Sequence, residues 1–78
     1  MTTEYQINKD LRAELTDNDY LLTVFSKKHD DYDTYKLKDG EWGISYDSLS
    51  NKGDADDVWE DSKFVEWAEE LKAYAKEA

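Results

Sequence analysis

The sequence predicts an α+β fold in which a three-stranded antiparallel meander packs against an N-terminal and a C-terminal helix. Two observations lead to this prediction. Apolar side chains recur at helical spacing near both ends of the chain, and the middle of the chain alternates apolar and polar side chains around an Asp-Gly dipeptide. The expected order is α-β-β-β-α in two layers, with residues 1–78 forming a single domain.

The first predicted element is a short helix over residues 4–15. Thr3 and Gln6 have the spacing of a capping box. Three apolar side chains then recur every four residues: Ile7, Leu11 and Leu15. The polar run at residues 17–19 ends the pattern. A strand over residues 4–8 is the alternative for the beginning of this segment.

The second predicted element is a strand between Tyr20 and Ser26. These residues are mostly β-branched, aliphatic or aromatic, which favours extended backbone. The polar segment at residues 27–33 predicts a loop after this strand.

The strongest local pattern predicts a hairpin over residues 35–46. Asp39-Gly40 suits a two-residue type I′ turn, because both central residues of that turn take a positive φ. The turn sets two apolar cross-strand pairs, which are Leu37 with Trp42 and Tyr35 with Ile44. We expect Trp42 to be buried against the C-terminal helix.

The segment after Tyr46 is polar and contains glycine, so it predicts a loop, and helical spacing resumes at Ser62. One helical face then collects the apolar and small side chains Phe64, Trp67, Ala68, Leu71, Tyr74 and Ala75. Asp61 or Ser62 is the expected N-cap.

Composition limits the classes of function. The chain has no cysteine, which excludes a disulfide framework and thiolate zinc ligands. No apolar run is long enough for a membrane span or a signal peptide, so the expected location is the cytoplasm. Twenty acidic and ten basic residues give a net charge of −10. Such a surface repels nucleic acid and anionic lipid and attracts basic proteins, so we expect neither direct nucleic-acid nor membrane binding.

The acidic stretch at residues 53–64 does not have the pattern of a calcium loop. That loop needs acidic ligands at its first, third and fifth positions, glycine at the sixth and glutamate at the twelfth. A loop started at Asp54 has Val58 at the fifth position, and one started at Asn51 has Ala55 there. The sequence therefore predicts no metal site and no cofactor.

Enzyme motifs are not found either. His29 is the single histidine, and its neighbours Lys28, Asp30 and Asp31 indicate an exposed loop. The chain has no cysteine nucleophile, no glycine-rich phosphate loop and no serine elbow. We expect a protein without enzymatic activity.

The negative charge is concentrated late in the chain. Residues 47–70 hold nine acidic and two basic residues, a net charge of −7. The helix dipole explains part of this pattern, since acidic residues are favourable at the beginning of a helix. It does not explain Glu66 and Glu70, whose like charges at i, i+4 destabilise a helix slightly.

Carboxylates on neighbouring helical turns lie about 5–6 Å apart, which is comparable to the spacing of successive phosphates. The surface therefore predicts contact with a basic groove. The expected partner-binding residues are Asp54, Asp56, Asp57, Trp59, Glu60, Asp61, Glu66 and Glu70, with a second cluster at Asp30, Asp31 and Asp33. Trp59 has two interpretations, since it either caps the core together with Val58 or is an exposed interface anchor.

These acidic residues, in a short single-domain chain without cysteine, resemble the small acidic inhibitors made by phages and mobile elements. Anti-CRISPR proteins and other DNA mimics are the familiar examples. The resemblance implies a non-enzymatic inhibitor that binds the nucleic-acid-binding groove of a protein such as a CRISPR effector or another host defence complex. The alternative is a small structural or adaptor protein of a phage or bacterial operon. Its acidity would only give solubility, and the aromatic hairpin would be its contact surface.

Overall fold

The computed structural model describes residues 3–49 and 58–77, and within them the chain forms a five-stranded antiparallel sheet and one α-helix. The strands are β1 (Glu4–Gln6), β2 (Leu11–Thr16), β3 (Leu21–Ser26), β4 (Asp31–Lys38) and β5 (Glu41–Asp47). One 3-10 turn, Val58–Glu60, precedes helix α1, Ser62–Leu71. The sheet order is β1-β2-β3-β4-β5, so β1 and β5 are its edges. The predicted architecture, a three-stranded meander between two helices, is wrong.

The predicted N-terminal helix over residues 4–15 is replaced by the β1–β2 hairpin, in which Tyr5 pairs with Ala13. The side chain of Asn8 stabilises the turn between β1 and β2, because its Oδ1 accepts hydrogen bonds of 2.8 Å from the N–H groups of Asp10 and Leu11. This Asx-type turn gives the backbone an alternative to a helix.

The error has a simple physical cause. A spacing of four residues fits a helical face, but it is also an even number and therefore keeps side chains on one face of a strand. Leu11 and Leu15 are buried in β2 together with Ala13, while Arg12 between them is exposed. The sequence pattern did not distinguish the two periods.

The predictions for the middle of the chain fit the structure more closely. The strand expected at residues 20–26 is β3, which begins one residue later. The loop expected at residues 27–33 is shorter, because β4 begins at Asp31.

The predicted hairpin is confirmed. Asp39 and Gly40 have φ values of 53° and 78°, as a type I′ turn requires. The two predicted cross-strand pairs are present: Leu37 with Trp42 and Tyr35 with Ile44. A β-bulge then shifts the register, so that Thr34 pairs with Tyr46. Thr34 and Tyr35 point to opposite faces of β4, and Tyr46 therefore lies on the face opposite to Ile44.

Helix α1 covers one face of the sheet, which we call the inner face. Its N-cap is Asp61, whose Oδ1 accepts a hydrogen bond of 2.9 Å from the N–H of Phe64. The buried apolar core comprises Leu11, Ala13, Leu15, Leu22, Val24, Tyr35, Leu49, Val58, Phe64, Trp67, Ala68 and Leu71. The Trp67 ring lies 5.4 Å from the Tyr5 ring of β1, and Nε1 of Trp42 in β5 donates a hydrogen bond of 2.9 Å to the carbonyl oxygen of Ala68. The helix therefore contacts both edge strands.

The helix ends at Leu71, earlier than its apolar pattern suggested, and Tyr74 is 55% exposed. The chain then returns to the sheet. Glu77 forms a parallel bridge with Leu37 and accepts a hydrogen bond of 2.6 Å from the N–H of Gly40.

Candidate functional site

Helix α1 presents carboxylates on the side that faces away from the sheet. Its apolar side chains are buried in the core, whereas the glutamates of the helix and of the preceding 3-10 turn are exposed. We call these residues the acidic helix surface: Glu60, Glu66, Glu69 and Glu70. Three of them, Glu60, Glu66 and Glu70, were predicted from the sequence.

Glu69 was missed, although its i, i+3 spacing from Glu66 could have identified it. Its Oε2 lies 2.8 Å from Nζ of Lys72, which is also 3.9 Å from Oε2 of Glu41. The hydrogen bond that Lys72 donates to Glu69, together with the negative charge of that carboxylate, raises the pKa of Lys72 above its usual value. Lys72 therefore offsets part of the negative charge at the C-terminal end of the acidic helix surface.

Asp61 and Trp59 have structural contacts. Asp61 is half-buried and caps the helix through its bond to Phe64. The Trp59 ring is also half-buried, with its centroid 4.8 Å from Phe64 and 5.2 Å from Tyr35 in edge-to-face geometry. Trp59 thus packs against the core beside the buried Val58, which fits the core-capping interpretation. Asp54, Asp56 and Asp57 lie outside the described residues.

The second predicted cluster does not form a single acidic surface. Asp33 is fully buried, and its Oδ1 accepts a hydrogen bond of 2.7 Å from the N–H of Leu49. Asp31 accepts a hydrogen bond of 2.5 Å from the hydroxyl of Ser48. Asp30 is exposed in the preceding turn. Asp31 and Asp33 therefore hold the segment after β5 against the beginning of β4 by hydrogen bonds.

His29 lies in a tightly bonded turn. Its N–H donates a hydrogen bond of 3.1 Å to the hydroxyl of Ser26. The carboxylate of Asp10 accepts bonds of 2.8 Å from that hydroxyl and 2.5 Å from the N–H of Lys28. The backbone bond from Lys28 is the main cause that lowers the pKa of Asp10. These groups join the β1–β2 and β3–β4 connections.

The face of the sheet opposite the helix, the outer face, carries an aromatic row that the sequence analysis missed. The guanidinium of Arg12 lies 4.4 Å from the centre of the Phe25 ring. Phe25 lies 5.9 Å from Tyr32, and Tyr32 lies 5.2 Å from Tyr46. We call these four residues the outer aromatic row. Tyr32 was missed because its polar neighbours placed it in a loop rather than at the beginning of β4.

Tyr32 and Tyr46 are 41% and 48% exposed, so the outer aromatic row is accessible to a partner. A shallow pocket of about 380 Å³ lies at its end. The pocket is lined by Arg12, Phe25, Ser26, Lys27, Asp30, Asp31 and Tyr32. Cationic, anionic and aromatic groups are mixed here, in contrast to the acidic helix surface.

No family model matches the chain, and neither a curated protein nor a solved structure is significantly similar to it. Within residues 3–49 and 58–77, no group of three or more histidine, aspartate or glutamate side chains is arranged to hold a metal ion. No helix in the same part of the chain is long and apolar enough to cross a membrane.

Proposed function

We propose that the protein is a non-enzymatic inhibitor that binds the basic, nucleic-acid-binding groove of another protein. The observation that carries this proposal is the exposure of three carboxylates, Glu60 in the 3-10 turn and Glu66 and Glu70 on the outward side of helix α1, whose apolar side is buried in the core. The partner would be a basic protein of a bacterial host cytoplasm, such as a CRISPR effector or another host defence complex.

The rigid placement of the carboxylates favours binding. Glu66 and Glu70 lie one helical turn apart, about 5–6 Å, which suits contact with lysine and arginine side chains that otherwise bind successive phosphates. Helix α1 is capped and packed across the sheet, so its backbone loses little conformational freedom on binding. The net charge of −10 would accelerate association with a basic groove.

Not all predicted residues belong to this surface. We include Asp54, Asp56 and Asp57 on the basis of their sequence position alone. We leave out Asp33, which is fully buried, and Asp61, whose carboxylate caps the helix.

A second candidate function is that of a structural or adaptor protein of a phage or bacterial operon. The outer aromatic row favours it, because Tyr32 and Tyr46 form an accessible aromatic contact on the outer face. Aromatic side chains are enriched at the centres of protein interfaces. In this alternative the acidic residues serve solubility alone.

Paired charge reversals separate the two functions. Glu66→Lys with Glu70→Lys reverses the acidic helix surface and retains a like-charge pair at i, i+4, so helix stability should change little. Glu4→Lys with Glu14→Lys is the control for net charge, because these residues are cross-strand neighbours on the outer face and the net charge changes equally. This control also removes the ion pair between Oε2 of Glu14 and Nε of Arg12, which lie 3.8 Å apart. Each protein is immobilised and exposed to host lysate, and captured proteins are eluted with increasing salt.

The inhibitor proposal expects the wild type and the Glu4/Glu14 control to retain a nucleic-acid-binding protein that the Glu66/Glu70 variant loses. If both double variants retain the same partner and Tyr32→Thr with Tyr46→Thr releases it, the adaptor function is correct instead.

A further inference from the structure

The edge strand β5 is the most exposed strand of the sheet. Six of its seven residues are exposed, and among the described residues no strand lies beyond it. Two of its exposed side chains are large and apolar, namely Ile44 at 53% and Tyr46 at 48%. A sheet edge with these properties is a template for an added strand.

The register of the hairpin determines which backbone N–H and C=O groups of β5 point away from β4. Lys38 and Glu41 flank a two-residue turn, so they form a hydrogen-bonded pair. The pairs alternate along an antiparallel ladder, and Trp42 and Ile44 therefore lie at positions not bonded to β4. Their N–H and C=O groups point toward the open edge, where an added strand can bond to them.

The β-bulge gives the added strand apolar contacts on both faces of the sheet. Ile44 lies on the inner face beside Trp42, and Tyr46 lies on the outer face at the end of the outer aromatic row. A neighbouring strand with alternating side chains would cover both of these exposed groups.

Charge determines what kind of strand fits. Glu41 and Asp47 lie at the two ends of β5, and the Glu41 side chain remains 84% exposed although Lys72 is 3.9 Å away. A second copy of the chain paired antiparallel around Ile44 would bring Glu41 of each copy close to Asp47 of the other, on opposite faces of the sheet, because the β-bulge puts Asp47 on the inner face with Asp33. Like charges brought close together at both ends repel, and each copy also carries a net charge of −10.

We propose that β5 binds an extended segment of a partner protein that contains alternating apolar residues and a basic residue at each end. Main-chain hydrogen bonds to Trp42 and Ile44 would provide the pairing, and Glu41 and Asp47 would select the basic ends. This surface uses none of the residues of the acidic helix surface, so the two proposals can fail independently.

The test uses six-residue peptides with blocked termini, because the β-bulge makes the seven residues of β5 oppose six residues of a regular strand. Valine and threonine alternate between the two end residues, and each peptide is titrated into the isotope-labelled full chain and followed by NMR. One peptide has lysine at both ends and a second has glutamate. A third has the lysine ends but carries N-methyl groups on alternate amides, which removes the donors along one edge. The double variant Glu66→Lys, Glu70→Lys is titrated with the lysine-ended peptide as a control.

We expect the lysine-ended peptide to shift amide signals along β5, with the largest changes at Trp42 and Ile44. The glutamate-ended peptide should bind about tenfold more weakly, because two attractive end contacts become repulsive. The N-methylated peptide should not bind, and the Glu66/Glu70 variant should bind like the wild type.

Equal binding of the N-methylated peptide would overturn the proposal, because no strand pairing would then be involved. Signals that shift on helix α1 instead of β5 would also overturn it. If sedimentation shows that the chain alone forms a dimer and that Ile44→Pro dissociates it, the edge at β5 binds a second copy of the chain instead of a partner protein, and the proposal is wrong.

Discussion

Asp33 shows how a buried carboxylate can be mistaken for part of an acidic surface. In the sequence, Asp33 forms what looks like one exposed cluster with Asp30 and Asp31. In the fold, Asp33 is fully buried and accepts a hydrogen bond from the N–H of Leu49. Leu49 is itself in the core, so the carboxylate fixes where the chain leaves β5.

Replacing Asp33 should therefore lower stability. Asp33→Ala leaves the Leu49 N–H without its acceptor, and we expect a loss of about 1–3 kcal/mol in the free energy of unfolding. Asp33→Asn keeps an acceptor oxygen and should lose less. Chemical denaturation measures both, with Asp30→Asn as the exposed control, expected within about 0.5 kcal/mol of the wild type. An Asp33→Ala protein as stable as that control would contradict the assigned role.

Asp10 should make stability depend on pH in the acid range. The hydrogen bond from the Lys28 N–H lowers the pKa of Asp10 in the folded chain below its ordinary value of 3.8. A lowered folded pKa contributes stability that is present above the unfolded pKa and is lost as the pH falls through the folded pKa.

Asp10→Asn should therefore be less stable than the wild type at neutral pH, and the difference should shrink as the pH falls below about 3.8. Thermal unfolding of both proteins, followed from neutral pH down to the lowest pH at which they still fold, measures this difference in stability. A difference that stays constant over that range would show that ionisation of Asp10 does not stabilise the fold.

At the scale of elements, Trp42 joins the β4–β5 hairpin to helix α1. The ring is half-buried, and its indole N–H donates to the carbonyl oxygen of Ala68. The expected contact between Trp42 and the C-terminal helix is thus confirmed, although the ring is buried less completely than predicted.

Two substitutions separate the ring of Trp42 from its hydrogen bond. Trp42→Phe keeps much of the aromatic contact and loses the bond, so we expect a loss of about 1 kcal/mol in the free energy of unfolding. Trp42→Ala also removes the ring and should cost clearly more, up to about 3 kcal/mol for a half-buried site. Equal stability of the two variants would show that the ring contributes nothing beyond the hydrogen bond.

The elements differ in how well the sequence predicts them, for physical reasons. The Asp39-Gly40 turn is predictable because few residue types tolerate two successive positive φ values. Helix α1 is predictable because its buried positions follow a period that no strand shares. The β1–β2 hairpin was missed because the even spacing of Leu11 and Leu15 fits both periods and the turn depends on one side chain, Asn8.

The candidate surfaces were predictable only in part. The outward position of Glu66 and Glu70 follows directly from helical periodicity. The outer aromatic row could be predicted only with knowledge of the sheet order, because its residues come from four different strands. The strand pair β1–β2 at the N-terminus moved one edge of the sheet from β3 to β1, whereas the second strand of the predicted hairpin is an edge in both the predicted and the observed sheet.

At the scale of the whole molecule, the two layers separate two kinds of surface. The helix layer presents carboxylates to solvent, and the outer face of the sheet presents aromatic groups beside Arg12. The core between the layers uses nearly all of the apolar side of α1, so the acidic helix surface is fixed relative to the sheet. A charge pattern held in this way can be complementary to a fixed groove.

Competition between the protein and nucleic acid for the captured partner tests this account most directly. The partner is first loaded with a fluorescent nucleic acid that it binds, and the wild type, the Glu66/Glu70 variant and the Glu4/Glu14 control are then titrated at several salt concentrations. We expect the wild type and the control to displace the nucleic acid, with an affinity that falls steeply as salt rises, while the Glu66/Glu70 variant displaces little. A stable ternary complex, or equal displacement by the Glu66/Glu70 variant, would contradict the proposed inhibition through the acidic helix surface.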